Sequence, residues 1–146
     1  VIHEHRLRVA PDDIDELGHA NNLRYVHWIV AAATGASEAA GWPFARYREL
    51  GAAFVVRRHV VDYLRPAFAG DTVVIRTWIE LAGRASSVRR YELLRLDGAT
   101  AVPPAAAAGE RIATAETHWA FVDLASGRPR RIAPALYDAF GVAPPG

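Results

Sequence analysis

The sequence predicts an α+β domain in which one antiparallel sheet packs on a single long helix. Three observations carry that expectation. Four stretches, Phe54 to Leu64, Thr72 to Leu81, Ser86 to Leu96 and Glu110 to Asp123, read as strands with a period of two. Leu23 to Ala40 has no proline and one glycine and is apolar on nearly every side, the pattern of a buried helix. The strands follow one another without intervening helices, so neighbours join as antiparallel hairpins.

A first strand is expected from His3 to Val9, where His3, His5, Leu7 and Val9 alternate with Glu4, Arg6 and Arg8, and Pro11 stops it. An acidic turn then leads into the long helix, which Gly41 ends. Trp42-Pro43 opens a second short segment through Leu50, closed by Gly51. The strand from Phe54 is broken by Arg65-Pro66, and Ala69-Gly70-Asp71 makes a tight turn before the next. That next strand sets Val73, Ile75, Thr77, Ile79 and Leu81 on one buried face. After a turn at Gly83-Arg84, the third long strand places Tyr91 and Leu93 on one face and Arg90 and Glu92 on the other. Residues 99 to 109, uncharged and rich in alanine around Pro103-Pro104, read as an insertion in a hairpin loop. Pro134 to Phe140 is a short terminal helix.

At 146 residues, 51% of them hydrophobic, residues 1–146 are expected to form one domain with a real core. The absence of cysteine excludes a disulfide framework, a thiol nucleophile and thiolate metal sites together. A net charge of +1, spread along the chain, gives no nucleic-acid surface. All 17 basic residues are arginine, so an anion held by side-chain charge meets a planar, always-charged fork. No apolar run approaches the roughly 18 residues of a membrane span, and the N-terminus lacks a signal-peptide pattern, so a cytoplasmic protein is expected. Because the chain starts at Val1, a leader could have been trimmed. H-E-x-x-H is absent and no zinc is expected; G-x-S-x-G is absent, so Ser86 and Ser87 form no nucleophile elbow. No cofactor is implied.

Chemistry concentrates in Asp13 to Tyr25, where acids, a histidine and two asparagines crowd a turn that runs into the helix. A carboxylate beside a helix N-terminus can act as base or nucleophile while free backbone N–H groups hold a developing oxyanion. That pair suits attack on an activated carbonyl. Asp13 suits a structural role as a turn brace. Gly18 is expected to supply a positive φ and close approach to substrate. His19 has two readings, an acid or base beside the substrate or a hydrogen-bonding spacer. Asn21 and Asn22 are natural capping residues, one of them capping the helix while offering its backbone N–H to the oxyanion. Tyr25, one turn into the helix, is a core residue or a substrate contact. His59 and His118 are isolated in strands. Arg89 and Arg90 point to opposite faces, so only one can serve a site. Trp28, Trp78 and Trp119 are candidates for a pocket wall and equally for plain core.

The turn has the form D-x-D-x-x-G-H-x-N-N-x-x-Y, and it resembles the signature of hotdog-fold acyl-CoA thioesterases of the 4-hydroxybenzoyl-CoA thioesterase type. Tyr63-Leu64-Arg65-Pro66-Ala67 followed by Gly70-Asp71 resembles that family's next strand and turn, and the element order agrees from Val9 to about Asp123. The resemblance implies a curved antiparallel sheet of about five strands wrapped around a central helix, with active sites at a dimer interface and tetramers built from two dimers. It implies that Asp15 is the catalytic carboxylate and that the oxyanion-binding N–H lies at about Asn22; beside them, His19 is a further catalytic candidate and Gly18, Asn21 and Tyr25 are candidate substrate contacts. In similar proteins the neighbourhood of Arg84, Ser86 and Ser87 meets the phosphates and pantetheine of CoA; a solvated hairpin end is the alternative. The implied activity is hydrolysis of an acyl or aryl thioester of CoA. An acyl-carrier protein as the carrier, and a non-catalytic acyl-binding module, are the rival readings.

Overall fold

The computed structural model describes residues 1–96 and 109–146, so the expected insertion at 99 to 109 falls outside the described residues except for Gly109. The elements are β1 (His3–Arg8), α1 (Asn22–Ala39), α2 (Phe44–Leu50), β2 (Ala52–Tyr63), β3 (Thr72–Ala82), β4 (Ser86–Leu96), β5 (Glu110–Asp123) and α3 (Pro134–Phe140). The five strands form one sheet in the order β1-β3-β4-β5-β2, with every pairing antiparallel. This is the α+β arrangement expected, with β1 and β2 as its two edges, but the expected hairpin of β2 with β3 does not form: β2 crosses to pair with β5, and β3 takes β1 as its neighbour. No helix among the described residues is long and apolar enough to cross a membrane.

Paired strands put their side chains on the same face, and that parity sorts the sheet. Val73, Ile75 and Thr77 of β3 share the helix-facing side with Tyr91 and Leu93 of β4, and all five are buried. The opposite face carries charge, where Arg90 pairs with Glu80 and Glu116, and Arg111 with Glu92 at 3.2 Å. One expected inward residue is turned out. The β3–β4 register shifts between Ile79 and Leu81, and Leu81 is 64% exposed. A bulge adds one residue to one strand, and that reverses the parity beyond it.

Helix α1 lies on the concave face and contributes Tyr25, Trp28, Ile29, Ala32, Ala33 and Ala36 to the core, spaced three and four apart. Its other side is not enclosed as the sequence implied: Leu23, His27, Ala31, Thr34 and Glu38 are exposed. One sheet covers one face of a helix, so the remaining stripe, apolar at Leu23 and Ala31, is left to solvent within a single chain. The core divides around this helix. One cluster joins α1 to β1, β3, β4 and β5; a second, with Trp42, Tyr47, Phe121, Leu136 and Tyr137, lies under α2 and α3.

Candidate functional site

The motif between β1 and α1 folds into a closed turn tied by its own backbone. Asp15 N–H donates to the His19 carbonyl at 3.0 Å, Gly18 N–H to the Asp15 carbonyl at 3.0 Å, and Asn21 N–H to the Asp13 carbonyl at 2.8 Å. Gly18 supplies the reversal with φ of +83°, as its place in the motif predicts. The Ala20 N–H donates to the Ala67 carbonyl at 2.8 Å, and the Tyr63 hydroxyl donates to the Asn22 carbonyl at 2.9 Å. These two bonds fix the turn and the start of α1 against the far end of β2.

Asn21 is the N-cap of α1. Its side-chain oxygen accepts from Leu23 N–H at 2.9 Å, and its backbone is extended with φ −60° and ψ 135°. Asn22 follows as the first helical residue, whose N–H lies outside the intrahelical ladder. Positive potential therefore gathers at this end of the helix.

The two acids of the motif have different partners. Asp13 accepts from Ala10 N–H at 2.9 Å and lies 3.4 Å from the Arg24 guanidinium, which is the bracing role expected of it. Asp15 accepts from Leu17 N–H at 2.9 Å through Oδ1; its Oδ2 has no hydrogen-bond or ion-pair partner among the described residues. His19 sits beside this turn, half-buried, with Nδ1 3.5 Å from the Ala20 carbonyl. Tyr25 faces inward, 2% exposed, against Trp28 and Tyr63, and burial raises its hydroxyl pKa. The core reading of Tyr25 is the one its surroundings support.

A cavity of about 170 Å³ lies elsewhere, beside the C-terminal half of α1. Trp42, Tyr47, Phe54, Trp119 and Phe140 form most of its apolar wall, with Thr34, Ser37, Glu38, Ser87 and Arg89 as polar members. Since α1 has 18 residues, its ends are about 27 Å apart, and Asp15 does not line the cavity. Within one chain the structure thus brings Asp15, Gly18, His19, Asn21 and Asn22 together, and it places Arg84, Ser86 and Ser87 at the opposite end of the sheet. Arg84 and Ser86 are exposed at that end, whereas Ser87 is buried on the cavity wall.

Of the tryptophans, Trp119 lines the cavity, Trp28 is in the core, and Trp78, paired with Arg90, faces the outer side. Trp42 and Tyr47 belong to the cavity although nothing in the sequence marks them as site residues. Alternation separated Arg89 from Arg90 but did not say which faced in. Arg89 does, at 7% exposure, and burial pushes its guanidinium below the usual arginine range.

A sheet curled on one long helix, with an acidic turn at that helix's N-terminus, is the architecture of the hotdog thioesterases, a class that hydrolyses thioesters. The chain belongs to the thioesterase-like superfamily, whose family model matches residues 9–140. No curated protein sequence matches it. Among solved structures, it is similar to a 1,4-dihydroxy-2-naphthoyl-CoA thioesterase from Synechocystis, with TM-score 0.82 and 16% identity over 97% of this chain and 96% of that one. A Staphylococcus aureus protein solved in complex with CoA gives TM-score 0.83 at 13% identity, covering 97% of this chain and 82% of that one. A Lactobacillus plantarum structure gives TM-score 0.85 at 17% identity over 99% of this chain; the chain spans about half of that longer protein, 52%. These likenesses establish the hotdog fold.

Proposed function

We propose that the protein is an acyl-CoA thioesterase of the cytoplasm, acting as a single domain over residues 1–146, with Asp15 as its catalytic carboxylate. The observation that carries this reading is the division of labour between the two motif acids. Asp13 is held by a backbone N–H and an arginine, while Asp15 keeps one carboxylate oxygen unengaged beside the N-terminus of α1. A free carboxylate next to unpaired N–H groups suits a reaction in which a thioester carbonyl oxygen gains charge.

In the proposed step, the carbonyl carbon is attacked either by a water that Asp15 deprotonates or by Asp15 itself, giving a mixed anhydride that water then opens. The C–S bond breaks, the CoA thiolate leaves, and the carbonyl oxygen's transient charge is held by backbone N–H at Asn22. His19 stands beside the turn as a spacer, since a thiolate leaves without obligatory protonation. Gly18 and Asn21 shape the floor for the thioester. Arg84, exposed on its hairpin, is assigned to the phosphates of CoA, with Ser86 and Ser87 at the same end.

The separation of Asp15 from the cavity supports a dimer. Strand β2 is a 12-residue edge without a second neighbour among the described strands, and such edges invite pairing. If two copies join antiparallel along β2, the Tyr63 end of one strand meets the Ala52 end of the other. Asp15 of one chain, fixed beside Tyr63, then faces the cavity next to Ala53 and Phe54 of its partner. The same union covers apolar surface on α1. Two such dimers can pair into a tetramer.

The test is a screen of short, long and aryl acyl-CoAs with wild type and Asp15→Asn, on protein whose solution mass is measured in the same buffer. Turnover of at least one thioester by a dimer or tetramer, abolished in the variant, is the expected result. A monomer that binds acyl-CoA and cleaves none of them returns the chain to the acyl-binding reading, and higher kcat/KM on acyl-carrier protein names the other carrier.

A further inference from the structure

One charge on the cavity wall has no counter-charge among the described residues. Arg89 Nη1 donates to Thr77 Oγ1 at 3.1 Å, and its guanidinium carbon stands 5.9 Å from the Phe140 ring centroid. Thr77 is its only hydrogen-bond partner among the described residues, and no described carboxylate lies within ion-pair distance of it. Glu38 is the single acid among the described residues of the cavity wall; it is exposed on α1 and makes no ion pair with Arg89. The neighbouring Arg90, by contrast, meets Glu80 and Glu116 on the outer face. Of the other polar groups near Arg89, the Ser37 and Tyr47 hydroxyls lie 2.7 Å apart and Thr77 donates to the Arg90 carbonyl at 2.8 Å, while the buried Tyr91 hydroxyl has no hydrogen-bond partner among the described residues and offers no counter-charge.

A buried cation is unfavourable unless paired, because desolvation is not repaid. A guanidinium also presents five donors in a planar fork, and a carboxylate fits that fork with two parallel bonds. Here Arg89 lines a space of about 170 Å³ walled by aromatic rings. An apolar cavity of about 150 Å³ holds a benzene molecule, so this one accepts a six-carbon chain or a ring.

We propose that Arg89 is a specificity-determining residue that binds a carboxylate carried by the acyl group, so that the favoured substrates are thioesters of dicarboxylic acids of about this size. The inference rests on the thioesterase reading for what happens at the carbonyl. It does not rest on it for which acyl group the cavity selects. The second acid neutralises Arg89 in the pocket, while the thioester end stays at the mouth, where a partner chain brings its own Asp15.

The experiment compares kcat/KM within two matched pairs, adipyl-CoA against hexanoyl-CoA and 4-carboxybenzoyl-CoA against benzoyl-CoA, for wild type, Arg89→Met and Arg89→Lys. Wild type is expected to favour the acid of at least one pair by about 10- to 100-fold, the range of a charge-assisted contact. Arg89→Met brings that ratio to 1 or below, and Arg89→Lys, which keeps charge and loses the fork, falls between. Removing a lone buried cation is not expected to lower Tm; if the Met variant fails to fold, the Lys variant decides, and an unchanged ratio there overturns the proposal. Ratios at or below 1 in both wild-type pairs, or a ratio that Arg89→Met leaves in place, also overturn it while leaving the hydrolase reading intact. If no thioester is cleaved, fluorescence of Trp42 and Trp119 reports binding of adipyl-CoA and hexanoyl-CoA. Tenfold tighter binding of the acid, lost in Arg89→Met, upholds the pocket and sinks the hydrolase; equal affinities sink the pocket.

Discussion

Asp13 and Asp15, two residues apart, can be separated by what each loses when changed. In Asp13→Ala the Ala10 N–H loses a charged acceptor at 2.9 Å and Arg24 loses a partner at 3.4 Å. The hydrogen bond contributes about 1–2 kcal/mol. The ion pair adds about 0–1 kcal/mol, discounted because the Arg24 side chain is 43% exposed. Together these predict a loss of roughly 1–3 kcal/mol, or about 2–12 °C in Tm for a domain this size. Asp15→Asn keeps an oxygen for Leu17 N–H, so its stability should stay within about 0.5 kcal/mol of wild type. Its kcat should fall by about 10²–10⁴ as the base or nucleophile disappears. Thermal denaturation gives the first quantity, and colorimetric counting of released CoA thiol gives the second, free of background because the chain has no cysteine. An Asp15→Asn protein with wild-type turnover on every cleavable thioester would falsify the assignment, as would loss of activity that merely tracked loss of fold.

Two further outcomes follow from the same geometry. Gly18→Ala puts a Cβ into open space, with no atom within 4 Å, yet at φ +83°, so the cost is backbone strain alone. A loss of about 1–2 kcal/mol is expected in chemical denaturation, with Gly18→Asn milder; no loss would mean the turn relaxes. His59 is held below its usual pKa by burial, with Nδ1 2.9 Å from Thr117 Oγ1, and His3 is lowered chiefly by burial as well. The folded state therefore binds fewer protons than the unfolded one near pH 6.5, and the stability these histidines add is present above that pH and lost as pH falls through their folded values. Tm should drop between pH 7.5 and 5, and the drop should shrink in His59→Asn; an identical slope in both would exclude His59 as a source.

Much of this was readable in the chain before any coordinates. Local rules were enough for Gly18, whose positive φ closes the turn, and for Asn21, whose short side chain caps the helix. Alternation put Tyr91 with Leu93 and Arg90 with Glu92 because both pairs obey strand parity. Leu81 escaped that rule, since a bulge depends on the partner strand as much as on its own residues. The open side of α1 escaped it too, because composition records that a face is apolar and not whether the same chain covers it. The cavity was the least accessible feature. Trp42, Tyr47, Arg89 and Phe140 come from four separate elements or their flanks, and only the packing of α2 and α3 against the sheet brings them into one wall.

The placement of Asp15 and the cavity at opposite ends of α1 bears on how such a protein would be regulated by abundance. On the two-chain arrangement proposed above, a lone subunit owns an acid with nothing to act on and a pocket with nothing to act in it. Output then tracks the fraction of chains that have found a mate, which is governed by mass action. Near the dissociation constant, halving the amount of protein removes more than half of the activity. Expression level becomes a gain control, with no separate effector site required.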